Sequence, residues 1–248
     1  MRIFFLLLMA ILFFPSCEDD DKDCVNGSGE NVEKIRSVDF FNSVELQISA
    51  EVYVEYGEIQ EVKIQAQSEV YEVLKTKVKD DKTLKIYTDG CLENHKLIKI
   101  YIKLPEIKNL ILSSSGKIII EENNFEDINF QNLDLELSGS GEINLKGINV
   151  TNLTSIISGS GDINLSGVAD IHNMILSGSG NFNAFNLVSK EVDVNLSGSG
   201  NCDISINNGD NGKLSGTISG SGDINYSGNL IPENINVTIT GSGTLNNI

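Results

Sequence analysis

The sequence has no tryptophan and only 3 prolines in 248 residues, whereas it has 23 glycines and 28 asparagines. Glycine and asparagine favour turns, so this composition argues against an ordinary helical enzyme and favours turn-rich β structure. Basic residues are also scarce, with 18 Lys and Arg against 35 Asp and Glu and a net charge of −17. Sites that neutralise phosphates need clustered positive charge, so the charge balance excludes nucleic acid as a partner.

The N-terminal hydrophobic run is too short to cross a bilayer. It covers Ile3–Phe14, which is 12 residues, whereas a transmembrane helix needs about 20. A short apolar run after Arg2 is typical of a signal peptide, which we assign to residues 1–16. Ser16 followed by Cys17 resembles a bacterial lipoprotein cleavage site. The resemblance implies that Cys17 is lipidated and attaches the protein to the outer membrane.

An acidic segment follows Cys17, with 5 acids among residues 18–23. Like charges repel and bury little apolar surface, so residues 17–33 are predicted to form a flexible acidic tether. The acidic run also resembles the export signal that places lipoproteins on the outer face of the outer membrane in one group of Gram-negative bacteria. We therefore expect an outward-facing protein, with the periplasmic leaflet as the alternative.

Cysteines are few, and they give no support for a metal site. The chain has 4 cysteines and no Cys-x-x-Cys pair, so a zinc site is not predicted, and neither is any cofactor. Cys202 falls on an apolar column of the repeat described next and is interpreted as a small buried hydrophobic residue. The sequence leaves open whether Cys24 and Cys91 pair.

One phrase, Ser/Thr-Gly-Ser-Gly, recurs through the second half of the chain. A degenerate copy, Ser113–Gly116, precedes six regular ones, and successive copies are 19 to 25 residues apart. A period of about twenty residues is in the range of a β-solenoid coil. The regular copies end at Gly141, Gly161, Gly180, Gly200, Gly222 and Gly243.

Hydrophobic and polar residues alternate on both sides of this phrase, as in half-buried strands. Two residues after the last glycine stand apolar side chains such as Ile143 and Ile163, with polar side chains between them. A single coil cannot cover its own apolar face, so coils must stack. Residues 113–248 are therefore predicted to form a right-handed parallel β-helix, with each coil a strand, a corner and a second strand. The corner glycines are expected to have positive φ and to avoid clashes between coils.

Residues 34–112 are more charged and lack the glycine-rich phrase. Alternating runs such as Val52–Tyr56 and Ile98–Leu104 predict strands, and Glu69–Val78 is the one plausible short helix. We expect this N-terminal β-rich part to cap the open end of the solenoid, because exposed strand edges invite aggregation. The complete chain is thus predicted to be all-β.

The order of these segments resembles the head GIN domain of auto-transporter adhesins over residues 34–245. The resemblance is carried by Ser37-Val-Asp-Phe-Phe41, Val52-Tyr-Val54 with Gly57, Ile100–Pro105 and the Ser-Gly-Ser-Gly phrase followed by Asp-Ile-Asn. It implies a β-helical, often lipid-anchored envelope protein with an adhesive role. The family has no established catalytic residues, so none are transferred.

Outward polar columns are the candidate contact surface of this adhesin-like protein. We expect them to bind glycans or another cell-surface ligand without catalysis. The alternative is a polysaccharide lyase or glycosidase, since Glu142 and Asp162 occupy one column about 5 Å apart on consecutive coils. Asparagines continue that column, which favours a polar ladder instead. The candidate contact residues are Glu142, Asp162, Asn144, Asn164, Asn181, Asn183, Asp223 and Asn225.

Two other chemistries find weaker support in the sequence. Gly-Ser-Gly-Asp resembles the calcium-binding nonapeptide solenoids, but there the acid follows its glycine after a spacer and returns every nine residues. His95 and His172 are single and are expected to lack a local acid or nucleophile partner. The serines alone give no evidence of nucleophilic catalysis without an ordered base.

Overall fold

A computed structural model describes residues 24–122, 125, 128–207 and 212–248. Within these ranges, the helical elements are one α-helix, α1, Ser68–Val73, and one 3-10 turn, Pro232–Asn234. All other regular structure in the described ranges is strand. The strands are β1 Val25–Asn26, β2 Asn31–Ile35, β3 Ser43–Leu46, β4 Glu51–Tyr56, β5 Glu61–Gln67, β6 Leu74–Val78, β7 Thr83–Thr88, β8 Leu92–Glu93, β9 Lys99–Leu104, β10 Asn109–Leu112, β11 Lys117–Ile120, β12 Asn129–Leu137, β13 Glu142–Ile157, β14 Asp162–Leu176, β15 Phe182–Leu196, β16 Cys202–Ile206, β17 Lys213–Ile218, β18 Ile224–Ser227, β19 Ile235–Ile239 and β20 Leu245–Asn247.

The predicted all-β solenoid is confirmed, with about 6 turns. Strands before each corner form a parallel upstream sheet in the order β7, β3, β10, the C-terminal parts of β12 to β15, β17 and β19. Strands after each corner form a parallel downstream sheet in the order β9, β4, β11, the N-terminal parts of β13 to β15, β16, β18 and β20. The start of β12 and the middle of β13 to β15 pair as a third, return sheet.

Alternate side chains fill the interior as the columns predict. The position two residues after the corner glycine is fully buried in six successive coils, so each side chain contributes about 1.5–3 kcal/mol by leaving water. Cys202 lies in this column, and burial raises the pKa of its thiol to about 12. It is therefore an inert hydrophobic residue. The members of this column are Ile118, Ile143, Ile163, Phe182, Cys202 and Ile224, each 0% exposed.

Close stacking, and not backbone conformation, explains the corner glycines. Positive φ is absent from the described Ser-Gly-Ser-Gly corners and occurs instead in return segments such as Gly147 and Gly167, so this part of the sequence prediction is wrong. A Cβ on Gly161 would lie 2.0 Å from the carbonyl oxygen of Gly141 in the coil before. That distance is impossible, so glycine is required wherever one corner lies directly on another.

The first half of the chain supplies two coils of the solenoid, out of chain order. β3 and β4 lie beside β10 and β11, and β7 and β9 form the next coil outward. Residues 47–50 form a four-residue corner against residues 113–116, since Lys117 N–H donates to the carbonyl of Ala50 at 2.8 Å. The boundary predicted at residue 112 therefore falls inside the solenoid.

Antiparallel strands close the N-terminal end of the stack. β5 pairs with β9, β2 with β5, and β6 with β7. The helix predicted over Glu69–Val78 is only half correct, because α1 ends at Val73 and β6 follows. Leu74 is buried and Lys75 exposed in β6, so pairing with β7 overrides the helical pattern there.

The predicted tether is shorter than residues 17–33. Cys24 forms a disulfide with Cys91, with the Cα atoms 4.7 Å apart, and β1 pairs in parallel with β8. Residues 31–35 form β2 in the main sheet. The disulfide and the strand pairing hold this segment in the fold, which its composition alone did not indicate. Residues 24–33 are therefore corrected from tether to folded chain. The predicted signal peptide 1–16 and Cys17 lie outside the described residues.

Candidate functional site

Four predicted contact residues form what we call the corner column, the position directly after each corner glycine on the downstream sheet. Its side chains cap backbone groups of the next coil. Asn181 N–H donates to Asp162 Oδ1 at 2.9 Å, and Thr244 N–H donates to Asp223 Oδ1 at 2.7 Å. Asn201 links the two, accepting from Asp223 N–H at 2.9 Å and donating its own N–H to Asn181. This column therefore stabilises the stacking of corners.

Glu142, the first acid of the corner column, is held by a different set of partners. Its carboxylate lies 2.8 Å from Lys117 Nζ and accepts Asn164 Nδ2 at 2.7 Å. The ion pair with Lys117, together with hydrogen bonds from asparagine amides, lowers the pKa of Glu142 below its usual value. A general acid in glycoside hydrolysis needs a raised pKa instead. The structure thus gives Glu142 the electrostatics of a structural carboxylate.

The other four predicted residues belong to the amide column, two positions further along each coil. Asn164 Nδ2 donates to Asn144 Oδ1, and Asn183 Nδ2 donates to Asn164 Oδ1 at 2.6 Å. Further along, Asn225 Nδ2 donates to Asp203 Oδ1 at 2.8 Å. These three amides thus donate toward the N-terminal end of the stack, as a ladder of equal polarity.

The amide column is interrupted once within its described part. Asn183 and Asp203 are register partners on adjacent strands, but no hydrogen bond joins their side chains. A carboxylate has no N–H to donate, so the acceptor oxygens of Asn183 and Asp203 are neighbours without a donor between them. Asn183 is exposed to solvent at this point.

A shallow cleft of about 370 Å³ runs along the same column. Its lining includes amide side chains of the column together with Ser166 and Asn186. Lys146 stands at its edge, where its Nζ is 2.9 Å from Glu121. The cleft lining is Asn144, Leu145, Lys146, Asn164, Leu165, Ser166, Asn183 and Asn186.

Toward the N-terminal end, the amide column continues into a pair of tyrosines. Ile119 is the register partner of Asn144 and of Tyr53, and Tyr53 stacks on Tyr101 with ring centroids 5.3 Å apart. Lys63 Nζ lies 4.9 Å from the Tyr101 ring. The rings therefore present their faces to each other and to lysine instead of outward. The amide column ends at these rings.

A buried Ser–His pair lies inside the solenoid. Ser155 Oγ and His172 Nε2 are 3.0 Å apart, and both residues are at most 1% exposed. The sequence prediction that His172 has no nucleophile beside it is therefore wrong. Burial lowers the pKa of His172 to about 3, and no substrate can reach a pair enclosed by the core. The pair is a satisfied polar contact of the interior.

The described ranges contain no group of three or more His, Cys, Asp or Glu side chains that could hold a metal ion. In the same ranges, no helix is long and apolar enough to cross a membrane.

The comparison with protein families identifies this architecture. Residues 40–230 match the family described as "Putative auto-transporter adhesin, head GIN domain". The chain belongs to the head GIN domain family. No curated protein matches the sequence. The resemblance stated from the sequence is thus confirmed, and the family match covers most of the described residues.

Solved structures share the fold of this head GIN domain. A "putative adhesin" from Bacteroides fragilis has a TM-score of 0.82 and 24% identity, covering 90% of this chain and 100% of that chain. A "putative lipid binding protein" from Parabacteroides distasonis has a TM-score of 0.71 and 21% identity over 90% and 99%. A "putative adhesin" from Parabacteroides merdae has a TM-score of 0.69 and 20% identity over 91% and 99%.

The candidate contact residues predicted from the sequence leave out several members of the two columns in this head GIN domain. Lys117, Asn201 and Thr244 belong to the corner column by the same register that predicted the rest. Asp203 and Asn246 belong to the amide column. Alignment on the corner glycine was sufficient to find all five, whereas the interruption at Asp203 requires the hydrogen-bond directions.

Proposed function

We propose that this protein is a non-catalytic adhesive lipoprotein of the outer membrane, lipidated at Cys17 and facing outward, that binds glycans through its polar columns. The observation that carries the proposal is the amide column with its cleft, a row of uncharged hydrogen-bonding side chains on a rigid sheet. Glycan hydroxyls are recognised by such amides, and a solenoid holds them at fixed spacing. Membership of an adhesin family supports the same function.

The electrostatics of the acidic pair support binding over cleavage. Glu142 is engaged by Lys117, and Asp162 accepts two hydrogen bonds from Asn181. Glu142, whose pKa is lowered, therefore lacks the raised pKa that the general acid of a retaining glycosidase needs. The enzymatic alternative therefore has no specific observation in its favour.

Incubation of the mature protein with neutral and acidic glycans, with and without calcium, tests the proposed activity. We expect retention of a glycan with no release of shorter products. Product release in any reaction would contradict the non-catalytic proposal, and retention of none would contradict adhesion to glycans.

Two cellular measurements test the anchor and its direction. Growth with labelled palmitate should label the wild-type protein and not a Cys17→Ala variant, because the thiol of Cys17 is the acylation site. Protease added to intact cells should remove the protein. Survival of the protein until the outer membrane is broken would place it on the periplasmic side.

A further inference from the structure

Within the described part of the amide column, Asn183 and Asp203 are the one pair of register partners whose side chains are not joined by a hydrogen bond. Asn183 commits an N–H to Asn164, and Asp203 Oδ1 accepts Asn225 Nδ2. The described chain offers no donor to Asn183 Oδ1. Because Asn183 is exposed, the missing donor is supplied by water in the free protein, and a ligand hydroxyl can take its place.

We propose that this interruption is a subsite for the hydroxyl groups of a neutral, linear glycan that lies along the cleft, parallel to the solenoid axis. The inference rests on the proposed function and names the ligand class of its site. A sugar hydroxyl donates one hydrogen bond and accepts others. Vicinal hydroxyls can therefore donate to Asn183 Oδ1 and to the Asp203 carboxylate together.

The spacing of the column sets the direction of the glycan. Adjacent strands of a sheet are about 4.8 Å apart, which is close to the length of one hexose unit in an extended chain. Asn144, Asn164 and Asn183 thus present their oxygens at intervals that successive sugars can match. Ser166 and Asn186 flank this row in the cleft and can bind hydroxyls at the side.

Charge selects against an acidic glycan at this site. Glu142 and Asp162 lie in the neighbouring column, and Asp203 is part of the subsite itself. Lys146, the cation in the cleft lining, is paired with Glu121. The negative charge of the chain, −17 in total, therefore repels a polyuronate along the whole amide column.

An Asp203→Asn variant tests the proposal without damage to the fold. The new amide has the polarity of its neighbours, so its Nδ2 can donate to Asn183 Oδ1 while its Oδ1 still accepts from Asn225. The substitution therefore gives Asn183 Oδ1 a donor from the protein itself, in place of the donor that a glycan hydroxyl would supply. Asp81→Asn is the matched control, since it makes the same charge change in the turn before β7, outside both polar columns, and keeps the acceptor for Thr83 N–H.

Calorimetric titration of the full mature chain with mannohexaose, cellohexaose and hexagalacturonate is the experiment. We expect the wild type and Asp81→Asn to bind a neutral hexamer and reject hexagalacturonate. Asp203→Asn should lose at least tenfold in affinity, with a Tm equal to or above that of the wild type. Equal affinity in Asp203→Asn, preference for hexagalacturonate, or loss of binding in a chelator would each overturn the subsite while glycan adhesion stands. No binding by the wild type overturns both proposals.

Discussion

Burial decides the chemistry of individual residues in this protein. Two titratable groups of the core, the Cys202 thiol and the His172 imidazole, have their pKa shifted toward the neutral form. Desolvation is the cause in each case, because a charge inside the solenoid loses water without gaining a partner charge. Neither residue can serve as a nucleophile or base for an external substrate.

His172 makes the fold sensitive to acid. Burial holds its pKa at about 3 in the folded chain, against about 6.5 when unfolded. Between these values the unfolded chain binds a proton that the folded chain does not, so stability falls as pH drops from about 6.5 to about 3. Replacing the pair together, Ser155→Ala with His172→Leu, should flatten urea-unfolding stability between pH 6.5 and 4.5. His95→Gln is the control, and an equal flattening there would contradict the assignment.

The inward and outward faces of a strand can be separated by one substitution. Ile163 is 0% exposed and Val168 is 48% exposed in the same strand, β14. Ile163→Asp buries an unpaired carboxylate and should lower the free energy of unfolding by several kcal/mol, whereas Val168→Asp should change it by less than about 1 kcal/mol. Urea denaturation measures both. Similar losses would mean that the faces are misassigned.

At the scale of the element, corners determine how closely coils approach. Gly161 has no room for a Cβ because Gly141 O would be 2.0 Å away, whereas Gly90 has nothing within 4 Å. Contact between two backbones cannot be relieved by a side-chain rotation. The corner is therefore a rigid element whose sequence is set by its neighbours in the stack.

Alanine at each of these glycines tests the stacking of corners. Gly161→Ala should destabilise the protein by about 3 kcal/mol, because the corner must move away from the coil before. Gly90→Ala should leave stability within about 1 kcal/mol of the wild type. The free energies come from urea unfolding. Tolerance of alanine at Gly161 would contradict the close approach.

Periodicity made the regular coils predictable, since alternation and corner glycines appear together from Gly116 onward. The coil of β3 and β4 was not predicted because its corner, residues 47–50, contains no glycine. Only the length of this corner and the alternation around it indicated a coil. The two columns followed from the alignment. The subsite did not, because it depends on the direction of the Asn183 and Asn225 amides and on the carboxylate of Asp203.

The whole molecule is a stack in which the columns of side chains repeat with the coil. The upstream and downstream sheets run from the antiparallel end strands to β19 and β20 without a break. Because side chains of equivalent positions lie in register, a single repeat unit generates the core columns, the corner column and the amide column. The cleft and the proposed subsite exist only if this register holds throughout.

Distances between spin labels on the corners test that register most directly. Cysteines are introduced in pairs at Ser140 and Ser199, three coils apart, and at Ser140 and Ser242, five coils apart. All three positions are exposed to the label, whereas Cys202 is buried and Cys24 is paired with Cys91. Pulsed electron resonance on the mature chain should give separations that grow by about 4.8 Å per coil, from about 14 Å to about 24 Å. Distances that fail to rise with coil number would contradict the stacked solenoid and the binding site built on it.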